Sequence, residues 1–171
     1  MNKKIVLLGD SITEAFPVER LLEYNVLNRG ISGNNTLDVL ERLQRDVIEE
    51  QPDIVYLLIG TNDMAQGFSE HTILANIEKI ASILLEELPD VELVLTSILP
   101  TRNDPPRPNS RIRIVNAGIE GIAETIGLRY FDLHAEMIDK DGKLKADFTE
   151  DGLHLTANAY EHWIDVLVKD L

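Results

Sequence analysis

Asp151 and His154 stand three residues apart in the stretch DGLHL. At that spacing one short turn brings a carboxylate against an imidazole. The carboxylate can hold one ring nitrogen and leave the other free to take a proton. Such a pair serves a nucleophile, and the best-placed hydroxyl is Ser11, in the stretch GDSIT far away in sequence. There is no cysteine, so thiol chemistry, disulfides and thiolate metal sites are excluded. Two further stretches carry groups suited to negative charge. NRGISGNNT holds Gly33, whose N–H can face a ligand with no Cβ in the way. GTND holds Asn62, whose side-chain amide can donate to a developing oxyanion. Taken singly, each of these residues also reads as a helix cap or a turn. Together they supply a nucleophile, a base, its orienter and oxyanion donors, the parts of an acyl-transfer site. His71, His134 and His162 have no carboxylate or histidine company at metal-ligand spacing and read as structural, so no metal is expected.

These residues must be gathered by the fold. Short apolar runs at 5–8 (IVLL), 24–27 (YNVL), 54–59 (IVYLLI), 91–95 (VELVL) and 128–131 (LRYF) read as five strands. Amphipathic stretches at about 36–50, 70–88, 109–126 and 157–171 read as helices between and after them. In the first helix Leu37, Leu40, Leu43 and Val47 are expected inward, with Asn35 and Asp38 at its N-terminus. In the second, Ile73, Ile77, Ile80, Ile83 and Leu84 are expected inward. Strands alternating with helices imply a parallel sheet covered on both faces. Ligands of such a sheet bind outside the carboxyl ends of the strands. Ser11, Gly33 and Asn62 each follow a strand, and the Asp151–His154 pair follows the fifth strand just ahead of the last helix.

The bulk numbers narrow the partners. The 171 residues suit one domain spanning 1–171. With 16 basic and 30 acidic residues the formal net charge is −14, which opposes binding to nucleic acid or anionic lipid. No run is long enough for a membrane span. Lys3 and Lys4 precede too short an apolar run for a signal peptide, so cytoplasm is the expected location.

In order and spacing, GDSIT, NRGISGNNT, GTND and DGLHL resemble the blocks of the SGNH (GDSL-type) hydrolase superfamily across nearly the whole sequence. The resemblance implies a flavodoxin-like three-layer α/β/α sandwich with a five-stranded parallel sheet. It also implies Ser11 as nucleophile, His154 as base, Asp151 as its orienter, and an oxyanion hole from Ser11, Gly33 and Asn62. The expected activity is hydrolysis of a small-molecule carboxylic ester, with no cofactor. The same residues would serve an acyltransferase, a thioesterase or a lysophospholipase. A phosphoacceptor receiver would need an acidic pair after the first strand, where Asp10-Ser11 stands. A flavin site would need a hydroxyl-rich phosphate loop, which GDSIT only partly supplies.

Substrate loops are expected at 64–68, 101–108 and 145–150. Arg102, Arg107, Arg111 and Arg113 either form a cluster for an anionic or polyhydroxyl substrate or lie on a solvated face, and the solvated face is favoured. A compact chain without a long apolar lid points to short acyl groups, such as acetyl on a carbohydrate or small metabolite. A homo-oligomer stays open, because the apolar helix stripes are accounted for by the sheet.

Overall fold

In the computed structural model, which describes residues 3–171, the five apolar runs pair into one parallel sheet. The strands are β1 (Lys4–Gly9), β2 (Asn25–Gly30), β3 (Ile54–Leu58), β4 (Glu92–Thr96) and β5 (Arg129–Phe131). Their order is β2-β1-β3-β4-β5, and every adjacent pair is parallel. The helices are α1 (Ser11–Glu14), α2 (Thr36–Leu43), α3 (Thr61–Ala65), α4 (Glu70–Glu87), α5 (Asn109–Ile126), α6 (Leu133–Met137) and α7 (Ala157–Asp170). The chain leaves β1 toward β2 on one side and returns to β3 on the other. The winding direction therefore reverses between β1 and β3, and a crevice opens at their carboxyl ends.

Alternation along the strands builds two cores. Val6, Leu8, Val55, Leu57, Leu93 and Leu95 face α2, α4 and α5. Ile5, Leu7, Ile54, Tyr56, Leu58 and Val94 face α1, α6 and α7. Both faces of the central strands are buried, which is why their sequences are continuous apolar runs. The result is the expected three-layer α/β/α arrangement.

Two elements differ from the sequence reading. The strand β2 extends to Gly30, in register with Gly9, so Asn28, Arg29 and Gly30 belong to a strand and not to a loop. As an edge strand it can carry polar side chains: Asn28 donates to the carbonyls of Thr13, Glu14 and Phe16, and Arg29 pairs with Glu50. The predicted helix over 36–50 is α2 followed by a π turn, Gln44–Ile48. Its inner stripe is Val39, Leu43 and Val47, four residues apart, while Leu37 is 45% exposed and Leu40 only half-buried. The inner face also holds Arg42, which donates to the carbonyls of Gly9 and Arg29 and pairs with Asp46. In α4, Ile73, Ile77, Ile80 and Leu84 are buried as expected, and Ile83 is half-buried. The predicted N-terminus of α2 is present: Asn35 and Asp38 form a reciprocal capping box.

Candidate active site

Gly9 ends β1, Asp10 caps α1, and Ser11 is the first residue of that helix. The Asp10 carboxylate is buried and accepts from the Ile12 N–H at 3.0 Å. The Tyr160 hydroxyl, on α7, donates to the Ile12 carbonyl at 2.6 Å. Helix α1 is therefore held from both sides, and Ser11 stands half-exposed above the sheet.

The histidine sits on a pinched loop. Thr149 and Leu155 form an isolated antiparallel bridge, and the residues between them carry Asp151 and His154. The Thr149 hydroxyl accepts from the Gly152 N–H at 2.8 Å, and the Gly152 carbonyl accepts from the Arg102 N–H at 2.8 Å. Within the loop, Asp151 Oδ1 accepts from the N–H groups of Leu153 and His154 at 2.8 and 2.7 Å. Asp151 Oδ2 lies 2.6 Å from His154 Nδ1. The opposite ring nitrogen, Nε2, lies 3.2 Å from Ser11 Oγ. The three side chains expected together from sequence thus form one chain of hydrogen bonds. Burial alone would raise the Asp151 pKa, but hydrogen bonds from the His154 ring and from the N–H groups of Leu153 and His154 outweigh it and leave it at about 2. The carboxylate is ionised wherever an imidazole could act as a base.

Gly33 lies in the turn after β2 with φ +81°, and a Cβ there would meet nothing within 4 Å. Gly30 differs: a Cβ would come within 2.1 Å of the Glu14 backbone nitrogen. Gly30 lets β2 pack against α1, whereas Gly33 leaves backbone open in the turn. Asn62 is on α3, and its Nδ2 donates to the Asn34 carbonyl at 2.9 Å, so the amide rests on the turn that contains Gly33. Asp63 locks the same two loops: it accepts from the Thr36 N–H at 3.1 Å and from the Thr36 hydroxyl.

The arginines do not form a free cationic patch. Arg102 pairs with Asp139, Arg107 with Asp104, and Arg111 with Glu70. Arg113 is exposed on α5. Of the remaining histidines, His162 lies 3.0 Å from Glu136, and His134 is held down by burial in its pKa. Among the described residues no group of three or more His, Asp or Glu is arranged to hold a metal. A cleft of about 280 Å³ is lined by Glu150, Asp151, His154, Leu155, Thr156 and Ala157.

Asp10 and Arg107 are two site residues to which the sequence reading gave no role at the centre. Burial pushes the Asp10 pKa up to about 7, against the pull of the Ile12 N–H and of the Arg107 charge. Arg107 reaches Asn62 from 45 residues away. The adjacency of Asp10 to Ser11 was a usable signal for the first. No local pattern pointed to the second.

The model of the GDSL-like Lipase/Acylhydrolase family matches residues 7–162. The chain is 25% identical over 171 residues to the N-acylneuraminate cytidylyltransferase of Escherichia coli O18:K1:H7 (strain RS218 / NMEC), covering 96% of this chain and 40% of that protein. It is 35% identical over 89 residues to the acetylxylan esterase of Geobacillus stearothermophilus, covering 37% of this chain and 41% of that one. The chain thus spans about two fifths of the length of these curated relatives. Among solved structures, a GDSL-like lipase from Bacteroides thetaiotaomicron VPI-5482 superposes with a TM-score of 0.88 at 28% identity, over 98% of this chain and 87% of that one.

Proposed function

Because the chain belongs to the GDSL-like lipase/acylhydrolase family, we propose that it hydrolyses a carboxylic ester through an acyl-serine intermediate. The reading is carried by the hydrogen-bonded relay, with 2.6 Å from Asp151 to His154 and 3.2 Å from His154 to Ser11. In the first step Ser11 Oγ attacks the acyl carbon and its proton passes to His154 Nε2. Asp151 holds the Nδ1 proton and stabilises the imidazolium. The carbonyl oxygen, now negative, is taken by the N–H groups of Ser11 and Gly33 and by the Asn62 amide. Collapse expels the alcohol, which receives the proton from His154. A water molecule then gives its proton to His154 and attacks the acyl-serine, releasing the acid and restoring Ser11.

The acyl group is proposed to be short, with acetyl on a carbohydrate or small metabolite as the substrate class. The cleft beside His154 is walled by Glu150, Asp151, Leu155, Thr156 and Ala157, a mixed polar and apolar lining that can take a small polar ester. The acetylxylan esterase similarity points the same way. A series of nitrophenyl esters from acetyl upward should give the highest kcat/KM at the shortest chains, and a maximum at long chains would overturn this assignment. Ser11→Ala should abolish turnover, and a variant as fast as the parent would remove the nucleophile from the scheme. With an imidazole base the rate must climb with pH as the ring loses its proton. A flat profile from about pH 5 to 8 contradicts that base. Product analysis with an added acceptor alcohol separates hydrolysis from acyl transfer.

A further inference from the structure

Asn62 is useful to an oxyanion only if its NH₂ end, and not its carbonyl end, faces the reacting carbon. An amide can flip by half a turn with little change in shape, so something must choose. Two neighbours do. The Asn34 carbonyl can only accept, and Asn62 Nδ2 donates to it at 2.9 Å. The guanidinium of Arg107 can only donate, and its Nη2 gives a hydrogen bond to Asn62 Oδ1 at 3.2 Å. Both contacts favour the same orientation and leave one Nδ2 proton uncommitted.

Arg107 is itself immobilised. Its Nε donates to the Thr61 carbonyl at 3.0 Å, and its Nη1 donates to Asp104 Oδ2 at 3.1 Å. Its own carbonyl accepts from the Thr101 hydroxyl at 2.7 Å. Its side chain is only 15% exposed. The loop around it is pinned further: the Thr101 N–H donates to Asn109 Oδ1 and the Thr101 carbonyl accepts from Asn109 Nδ2. A surface arginine for substrate capture would be exposed and free to reach outward. This one points into the protein, with all three guanidinium nitrogens engaged behind Asn62.

We infer that Arg107 is a positioning residue for the oxyanion hole: it fixes the orientation of the Asn62 amide and, by drawing electron density toward Oδ1, strengthens the remaining Nδ2–H as a donor. The inference rests on the proposed acyl-serine chemistry. It gives Arg107, in the loop at 101–108, a role behind the oxyanion hole.

The test is a double-mutant cycle on a short-chain nitrophenyl ester. Removing an oxyanion donor outright costs roughly 10²–10³ in kcat, which sets the ceiling for any residue acting through it. Arg107→Met should lower kcat by about tenfold and leave KM within about twofold, and Arg107→Lys, which keeps the charge but not the fork, should fall between. In an Asn62→Ala background the same change should cost less than about twofold, because the group it positions is gone. An undiminished tenfold loss in that background, or an unchanged kcat in the single variant, overturns the inference. Should Arg107→Met fold poorly with Asp104 unpaired, Arg107→Met/Asp104→Asn carries the same test. The side-chain amide signals of Asn62 in a ¹⁵N spectrum, assigned by their loss in Asn62→Ala, give a readout independent of turnover. They should shift and exchange faster with solvent in Arg107→Met, and identical signals would overturn the positioning role. If the parent protein hydrolyses no ester at all, the esterase reading fails while the amide signals still decide whether Arg107 orients Asn62.

Discussion

Asn62 and Asp10 show how differently two polar side chains near one serine can behave. Asn62→Ala removes a donor while leaving the relay from Ser11 to Asp151 intact, so kcat should fall by roughly 10²–10³ with the relay's pH dependence preserved. A loss below about threefold in steady-state assays would remove Asn62 from the oxyanion hole. Asp10 bears on stability. Its pKa is raised from 3.8 to about 7 by burial, so between those values the folded protein holds a proton that the unfolded chain has released. Its contribution is fully present below the ordinary carboxylate range and is lost as the pH rises through about 7. Unfolding by denaturant at pH 5 and pH 8 should therefore show a loss of stability across that interval, and Asp10→Asn should shrink it while keeping the acceptor for Ile12. Some slope will persist, since burial also raises Asp63. An unchanged difference in Asp10→Asn would show that the carboxyl does not titrate there. Ser11, Asp151 and His154 were legible from sequence because their chemistry is distinctive, Ser11 stands just after a strand, and the other two are three residues apart. Arg107 was not, because a buried guanidinium behind an amide 45 residues away has the same one-letter code as a solvated one.

The elements divide between those fixed by local pattern and those fixed by tertiary contact. The buried strands β1, β3 and β4 were legible as apolar runs, and the capping box of α2 was legible from Asn35 and Asp38. The end of β2 was not, because an edge strand need not be apolar. The inner face of α2 was legible at Leu43 and Val47 but not at Leu37 and Leu40, and Arg42 joins it through bonds to the carbonyls of Gly9 and Arg29, which hydrophobic spacing does not record. That difference is measurable. Leu43→Ala, in the core, should cost about 2–5 kcal/mol, whereas Leu37→Ala should stay within about 0.5 kcal/mol. Equal costs in urea unfolding would restore Leu37 to the inner face. The loop at Thr149 deserves a functional test of its own kind. Thr149→Val removes the acceptor for the Gly152 N–H and should cost about 1–3 kcal/mol. It should also lower kcat more than KM, because it loosens the bridge that carries the proposed base. A variant with full kcat would show that the loop keeps its shape through Leu155 and Arg102 alone.

At the scale of the molecule, charge is the dominant property. A net charge of −14 sets up a field that repels anionic substrates at low ionic strength. With three of the arginines near the strand ends already paired to carboxylates, little local positive charge offsets it. KM for an anionic acetyl ester should therefore fall as salt rises from about 0.01 to 0.15 M, over which the screening length shrinks from ~30 to ~8 Å, while KM for a neutral ester stays level. A KM for the anion that rises with salt would reveal a cationic subsite. The α/β/α arrangement was legible as a pattern of alternating runs. The order of its strands was not, since alternation alone does not say on which side of β1 the chain returns.

Ser11 and His154 are 143 residues apart, and the helix that follows the histidine is seated against the segment that follows the serine. Trp163 meets the edge of Phe16 with ring centroids 4.9 Å apart, and Tyr160 reaches Ile12. During synthesis Ser11 emerges before His154, so the serine is made before the imidazole that the proposed mechanism gives it. On the proposed mechanism the serine gains its base only when the loop carrying His154 is placed beside α1. Loosening of α7 would take Tyr160 off the Ile12 carbonyl beside Ser11, so esterase activity should be lost on heating no later than the sheet signal in far-UV circular dichroism.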